Sequence, residues 1–405
     1  MSGLHGKRIL LGVTGSIAAF KAAEWVRFLV KEEAVVTVAM TEAAERFVSA
    51  LTFSALSGNP VHRDMFDETP DRVMAHINLS READVILVAP ATAQTIARLA
   101  HGMADNLLAT VVLAARIPVV ICPAMNSSML AHPATVENIR RLEQFGYHLV
   151  QPGCGDLACG ETGDGRLADW DVAREALLSL FQPDDLKDRK ILITAGPTRE
   201  PLDPARFLSN RSSGKMGFAL ARAARRRGAE VTLVTGPVHL PDPPGVEVVR
   251  VTTAAEMAQA VFARSESMEI IVKSAAVADF KPSDCATHKI KKTQQGLRLD
   301  LIKNTDILAE LGQNRLPGQI LVGFAAESRD HAGEGQRKLR EKNLDLIVVN
   351  DILGAQTGFD VETNQVTLID RQAITPLPLL SKEETAHRIW DKVVQLLDER
   401  SENAA

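Results

Sequence analysis

One local pattern, used twice, constrains this chain more than any other. Residues 7–15 (KRILLGVTG) form a β-branched and leucine-rich run closing on glycine. Residues 16–31 follow with apolar side chains at helical spacing, and residues 35–41 (VVTVAMT) again read as strand. A strand, a tight turn, a helix and a second strand make one parallel crossover, which is right-handed in nearly all known sheets. Residues 83–89 (ADVILVA) and 117–122 are further uninterrupted apolar runs, as strands covered on both faces require. The pattern restarts at 190–196 (KILITAG), with a helix over 215–227 stopped by Gly228 and a strand over 230–236 (EVTLVTG).

The expected fold is therefore α/β, with two doubly wound Rossmann-like domains. The polar, proline-containing stretch 182–189 (QPDDLKDR) reads as the linker, which sets the domains at 1–187 and 188–405. Residues 270–272, 320–322 and 346–349 supply further strands of the second sheet. A length of 405 residues with 45% hydrophobic and 24% charged side chains provides material for two cores.

The balance also excludes partners. A net charge of −5 gives nucleic acid or an anionic membrane no reason to bind, and 4% aromatics leave little for base stacking. No uncharged apolar run approaches the ~18 residues of a membrane helix. Cys122, Cys154, Cys159 and Cys285 form no disulfide-dense pattern, and no secretory leader is evident. A cytoplasmic setting with reduced thiols is expected. Cys154 and Cys159 lack the further ligands a zinc site needs.

Several residues could carry chemistry in the first half. Gly12, Gly15 and Ser16 lie between a strand and a helix start, where backbone N–H groups hold a phosphate or simply make a tight turn. Their spacing is not the dinucleotide fingerprint, so a mononucleotide suits it better than NAD. His76 precedes a buried strand, where a lone histidine is more often a satisfied structural residue. Asn126, in PAMNSSML at 123–130, places one amide beside two methionines, where it could orient a carboxylate or tie down a loop. Cys159 lies in a glycine-rich segment that reads as a mobile flap. A thiol there could protonate a carbanion, or be incidental.

Taken together, these motifs resemble flavin-dependent phosphopantothenoylcysteine decarboxylases over residues ~5–180. The resemblance implies FMN held by Gly15, Ser16, Thr41, Ala89, Pro90, Ala91, Thr92 and Met125. It implies His76 as the catalytic histidine, Asn126 as the ligand of the substrate carboxylate, and Cys159 as the proton donor. The flavin would let the electrons left by decarboxylation spread onto sulfur. Leu130 stands where that family's signature has tryptophan, and Ser16 where glycine is frequent.

In the second half, Ser209 and Met216 break the Walker A pattern around Ser212, Gly214 and Lys215. Asn210 and Arg206 follow a strand edge, and 289–292 (KIKK) carries three cations, which neutralise a polyphosphate or form a solvated face. The strings ITAGPTREPLDP, SNRSSGKMG, AAVADF, GFAAE and KNLDLIVVND resemble phosphopantothenate–cysteine ligases over ~188–400. What this implies is CTP with Mg²⁺ and an acyl-cytidylate that cysteine attacks. Ser274, Ala275, Asp279, Lys289, Thr305, Asp306, Ile307, Leu308, Phe324, Lys338 and Lys342 would hold the nucleotide, with Asp279 also at the metal. Asn210, Arg206 and Lys289 would act in catalysis. The family's Asn-Pro-Asp-Ile string has Thr305 in place of proline.

Both resemblances in this order match a bifunctional family of coenzyme A biosynthesis. It implies 4′-phosphopantothenate and cysteine as substrates and a homo-oligomer, a dodecamer by the same analogy. Two other readings stay open from the residues alone: a tandem NAD(P) oxidoreductase and a non-catalytic flavoprotein regulator.

Overall fold

The computed structural model describes residues 3–66, 74–158, 160–291, 297–327, 331–351 and 361–404. The chain divides into two compact units, Met1–Gln182 and Pro183–Ala405.

In the first unit, β1 (Arg8–Val13), β2 (Val35–Met40), β3 (Val61–His62), β4 (Val85–Ala91), β5 (Val119–Pro123) and β6 (His148–Leu149) form one parallel sheet. Its order is β3-β2-β1-β4-β5-β6. Setting aside the two-residue β3, this is the flavodoxin-like order, and with β3 it is the six-stranded Rossmann order. Either way the winding reverses between β1 and β4. Ile9, Leu11 and Val13 face Trp25, Val26 and Leu29 of the helix Ala19–Lys31, while Leu10 faces the opposite layer with Ile86 and Leu108. This two-sided burial is why the strands read as unbroken apolar runs. A hairpin of β7 (Gly153–Asp156) and β8 (Thr162–Arg166) occupies the segment expected to be a flap.

The second unit holds β9 (Lys190–Ala195), a hairpin of β10 (Arg199–Asp203) and β11 (Arg206–Ser209), β12 (Glu230–Thr235), β13 (Glu247–Arg250) and β14 (Ile270–Lys273). A second hairpin pairs β15 (Phe280–Pro282) with β16 (Leu301–Lys303). Then come β17 (Ile320–Glu327), β18 (Leu346–Asp351), β19 (Thr363–Asn364), β20 (Val366–Asp370), β21 (Ile374–Pro376) and β22 (Leu380–Ser381). The main sheet runs β13-β12-β9-β14-β17-β18-β20-β21, parallel through β18 and antiparallel at the last two strands. Its winding reverses between β9 and β14. The sequence pattern did not reveal this antiparallel edge.

The helix Lys215–Arg226 packs beneath β9 and β12 and is followed by Gly228 at φ 91°. The helix Lys382–Ala404 lies against it: Trp390 is fully buried and its indole N–H donates to the Leu220 carbonyl at 3.0 Å. Buried Arg227 donates to Asp185 at 2.7 Å and to Asp391 at 2.8 Å, so three distant segments meet at one guanidinium. Removing a partner would strand a buried charge. Among the described residues, no helix is long and apolar enough to cross a membrane.

Candidate functional sites

In open α/β sheets ligands bind outside the carboxyl ends of the strands, where the winding reverses. In the first unit that edge gathers Gly15, Ser16 and Ala89–Thr92. Thr14 ties the two loops together: its hydroxyl donates to the Pro90 carbonyl at 2.6 Å and accepts from the Thr92 N–H at 3.2 Å. Thr92 in turn caps the helix Ala93–Ala100. A Cβ on Gly15 would stand 2.5 Å from that of Ala43, so only glycine lets the loop after β2 come this close. That loop presents Thr41, whose buried hydroxyl has no hydrogen-bond partner among the described residues. Thr41 lines a ≈ 470 Å³ cavity with Asp105 and Asn106.

A second cavity of ≈ 500 Å³ is walled by Ile17, Phe20, Met125 and Leu157, with Ser16, Lys21, Asn126, Asp156 and Arg166 as its polar members. Asn126 caps the short helix Ser127–Leu130. Its Oδ1 accepts from the Ser128 N–H at 2.9 Å, and its Nδ2 donates to Glu161 at 2.8 Å. The amide expected to face a carboxylate is thus engaged at both ends. β8 clamps this segment: the Met125 N–H donates to the Gly165 carbonyl at 2.9 Å. A Cβ on Gly165 would fall 2.2 Å from the Met125 oxygen, which explains part of the glycine-rich run. Ala158 lines the cavity, whereas Cys159 lies outside the described residues. His76, on the helix Ala75–Glu82, keeps its Nδ1 buried without a partner among the described residues, and is not part of the Asn126 cavity wall. Cys122 is a core residue of β5, and burial pushes its thiol pKa far up.

In the second unit a cavity of ≈ 390 Å³ opens at the ends of β9, β14 and β17. It brings together Asn210, Ser274, Ala275, Asp279, Leu308, Phe324, Lys338 and Lys342. Asp306 stands just behind, capping the helix Ile307–Gln313 and accepting from Lys342 Nζ at 2.7 Å. Burial works against the charged form of Asp306, but its bonds to Lys342 and the Ala309 N–H hold its pKa below the ordinary value. Ile307 is core, and Thr305 is not part of the wall. Among the described residues, no group of three or more His, Cys, Asp or Glu side chains could hold a metal ion, so Asp279 is a lone carboxylate in the wall.

Two expected residues lie elsewhere. Arg206 and Lys289 belong to an arm built on the β10–β11 hairpin and do not line the cavity. Buried Asp203 organises that arm, accepting from the Ala205 N–H at 2.8 Å and the Ile290 N–H at 3.1 Å, and Arg206 donates to the Ile290 carbonyl at 2.7 Å. Three cavity lysines were missed: Lys215, Lys273 and Lys382. Lys215 pairs with Glu362 at 2.6 Å, and Lys382 donates to the Val361 carbonyl. Lys273 and Lys382 sit at a strand end and a helix start, where an isolated lysine reads as ordinary surface, and Lys215 belongs to the string that breaks the Walker A pattern.

Comparison with known proteins matches both halves. Residues 2–181 match the family described as flavoprotein, and residues 186–397 the DNA/pantothenate metabolism flavoprotein C-terminal domain. Three relatives share the full arrangement, each named a coenzyme A biosynthesis bifunctional protein CoaBC. The Vibrio cholerae protein is 45% identical over 391 residues, 96% of this chain and 98% of its own. The Bacillus subtilis protein is 44% identical over 99% and 100% of the two chains, and the Escherichia coli K12 protein 45% over 98% and 99%. With two matched halves in the same order and nearly complete overlap, this chain belongs to the family of coenzyme A biosynthesis bifunctional proteins, CoaBC.

Proposed function

We propose that the second unit joins 4′-phosphopantothenate to L-cysteine at the expense of CTP, through an acyl-cytidylate, and that the first unit decarboxylates the product to 4′-phosphopantetheine with FMN. The observation that carries this is the full-length family match, both halves in order on one chain. It speaks against the tandem NAD(P) oxidoreductase.

The first unit's residues fit FMN. Gly15 makes the tight turn into a helix start where a Cβ would clash with Ala43, and the Thr41 hydroxyl is a buried group lacking a partner among the described residues. Gly15, Ser16, Thr41, Ala89, Pro90, Ala91, Thr92 and Met125 would hold it. Bound there, FMN would supply reversible two-electron oxidation at the substrate sulfur. Ile17, Phe20 and Leu157 would give the reacting carbon an apolar wall. Asn126 Nδ2 would turn from Glu161 to the substrate carboxylate, and Cys159 would return a proton to carbon. His76 would take part through the Nδ1 that lacks a partner among the described residues.

In the second unit, Lys338 and Lys342 would neutralise CTP, Ser274, Ala275, Leu308 and Phe324 would seat it, and Asp279 would meet Mg²⁺ together with phosphate oxygens. A carboxylate becomes an acyl electrophile once its oxygen enters a phosphoanhydride, and nearby cations stabilise the departing pyrophosphate. Asn210 would hold the acyl-cytidylate, with Arg206 and Lys289 delivered by the hairpin arm. A cytoplasmic homo-oligomer, dodecameric by family analogy, agrees with exposed Phe20, Leu51, Phe66, Phe207, Phe280 and Ile302, which assembly would cover.

The test supplies phosphopantothenate, cysteine, CTP and Mg²⁺ and follows products by mass. Appearance of 4′-phosphopantetheine supports the proposal. No coupled product, or accumulation of phosphopantothenoylcysteine by a flavin-loaded enzyme, overturns one half or the other.

A further inference from the structure

Lys273 is the last residue of β14, beside the point where the winding reverses, and it lines the same cavity as Asp279, Lys338 and Lys342. Its neighbours have their charges matched: Lys342 sits on Asp306 at 2.7 Å and Lys215 on Glu362 at 2.6 Å. Among the described residues, Lys273 Nζ has one hydrogen-bond acceptor, the Ala275 carbonyl, at 3.4 Å. That is the long limit of such a bond. Burial pushes its pKa down to about 8; repulsion from Lys342 adds to the fall, and Asp306 and Asp279 oppose it. With one long hydrogen bond and only partial offset from those two carboxylates, the desolvated amine would be stabilised by an arriving anion.

We propose that Lys273 is a direct ligand of the nucleotide's polyphosphate, sharing with Lys342 the negative charge that departs as pyrophosphate. This rests on the CTP reading above and adds a cation to it. Phosphate oxygens also reach this unit on 4′-phosphopantothenate, so the test separates the two sources. Lys273 shares its cavity with Asp279, Lys338 and Lys342, the residues the CTP reading assigns to the nucleotide and its metal, which favours the nucleotide.

The experiment is calorimetric titration of the whole protein with Mg·CTP and, separately, with 4′-phosphopantothenate. Wild type, Lys273→Met and Lys273→Arg are compared. Losing one charge-assisted phosphate contact should weaken CTP binding about ten- to a hundredfold in the methionine variant. Arginine should restore most of it, and phosphopantothenate binding should stay unchanged. A CTP affinity within about twofold of wild type overturns the assignment, as does a loss confined to phosphopantothenate. Wild type that binds no CTP overturns the nucleotide reading and this inference together, which distinguishes the two failures. A measurement on unaltered protein stands beside the variants: saturating CTP should shield Lys273 from acetylation, read by peptide mass. Equal labelling with and without CTP refutes the contact.

Discussion

Both cavities open beyond the carboxyl ends of strands in a parallel sheet, yet their walls are opposites. The first is faced with Ile17, Phe20, Met125 and Leu157, and its Asn126 amide is tied to Ser128 and Glu161. The second carries five lysines: Lys215, Lys273, Lys338, Lys342 and Lys382. One scaffold thus places a site, and the side chains at the strand ends decide what can be done there. On the proposed reading, one edge shelters an electron pair from water and the other absorbs the charge of a leaving polyphosphate.

The sharpest way to break this contrast is Cys159→Ser. On the reading that Cys159 returns the proton to carbon after C–C cleavage, formation of 4′-phosphopantetheine should slow about 10²–10⁴-fold and a species at the oxidised enethiol level should accumulate, while ligation continues. Parallel mass assays of the two products check it, and an equal fall in both would join the sites. Lys342→Met comes next. It leaves Asp306 without its 2.7 Å partner and should weaken CTP binding about tenfold or more, by calorimetry, with decarboxylation of supplied phosphopantothenoylcysteine untouched. Gly15→Ala acts on the other edge. Its Cβ would stand 2.5 Å from that of Ala43, so the variant should lose ~1–3 kcal/mol and bound flavin together, read by thermal unfolding and absorbance. Ligase activity should survive.

The smallest effect is a pH signature. The folded pKa of Lys273, about 8, lies below its ordinary 10.5, so the unfolded chain binds more protons between those values. Wild-type stability from this group therefore rises with pH through that window. Lys273→Met should be the more stable protein below pH 8, and its advantage should fade as pH climbs toward 10.5. Unfolding midpoints of both proteins across the window check the sign.

What was legible in the sequence follows from distance along the chain. β4 was readable because all seven of its residues are buried, which leaves an apolar run no surface segment would carry. The loops at the strand ends were readable as motifs. Their geometry was not, because it depends on remote partners. Asn126 meets Glu161 35 residues on, Lys342 meets Asp306 36 away, and Asp203 fixes Ile290 across 87. Lys273 escaped notice because a lysine after Ile-Ile-Val reads simply as a strand reaching solvent. The β10–β11 and β15–β16 hairpins were missed for a related reason: they are short, and Phe207, Phe280, Leu301 and Ile302 are exposed, so no burial pattern announces them.

The buried Trp390 has a consequence for how this protein is made. Residues up to 182 contain every strand of the first sheet, so that unit can close while synthesis is still under way. The second core stays open on one side until the helix Lys382–Ala404 has left the ribosome and covered the Lys215–Arg226 helix. During translation, the flavin-family half thus matures first, and the half that makes its substrate becomes competent last.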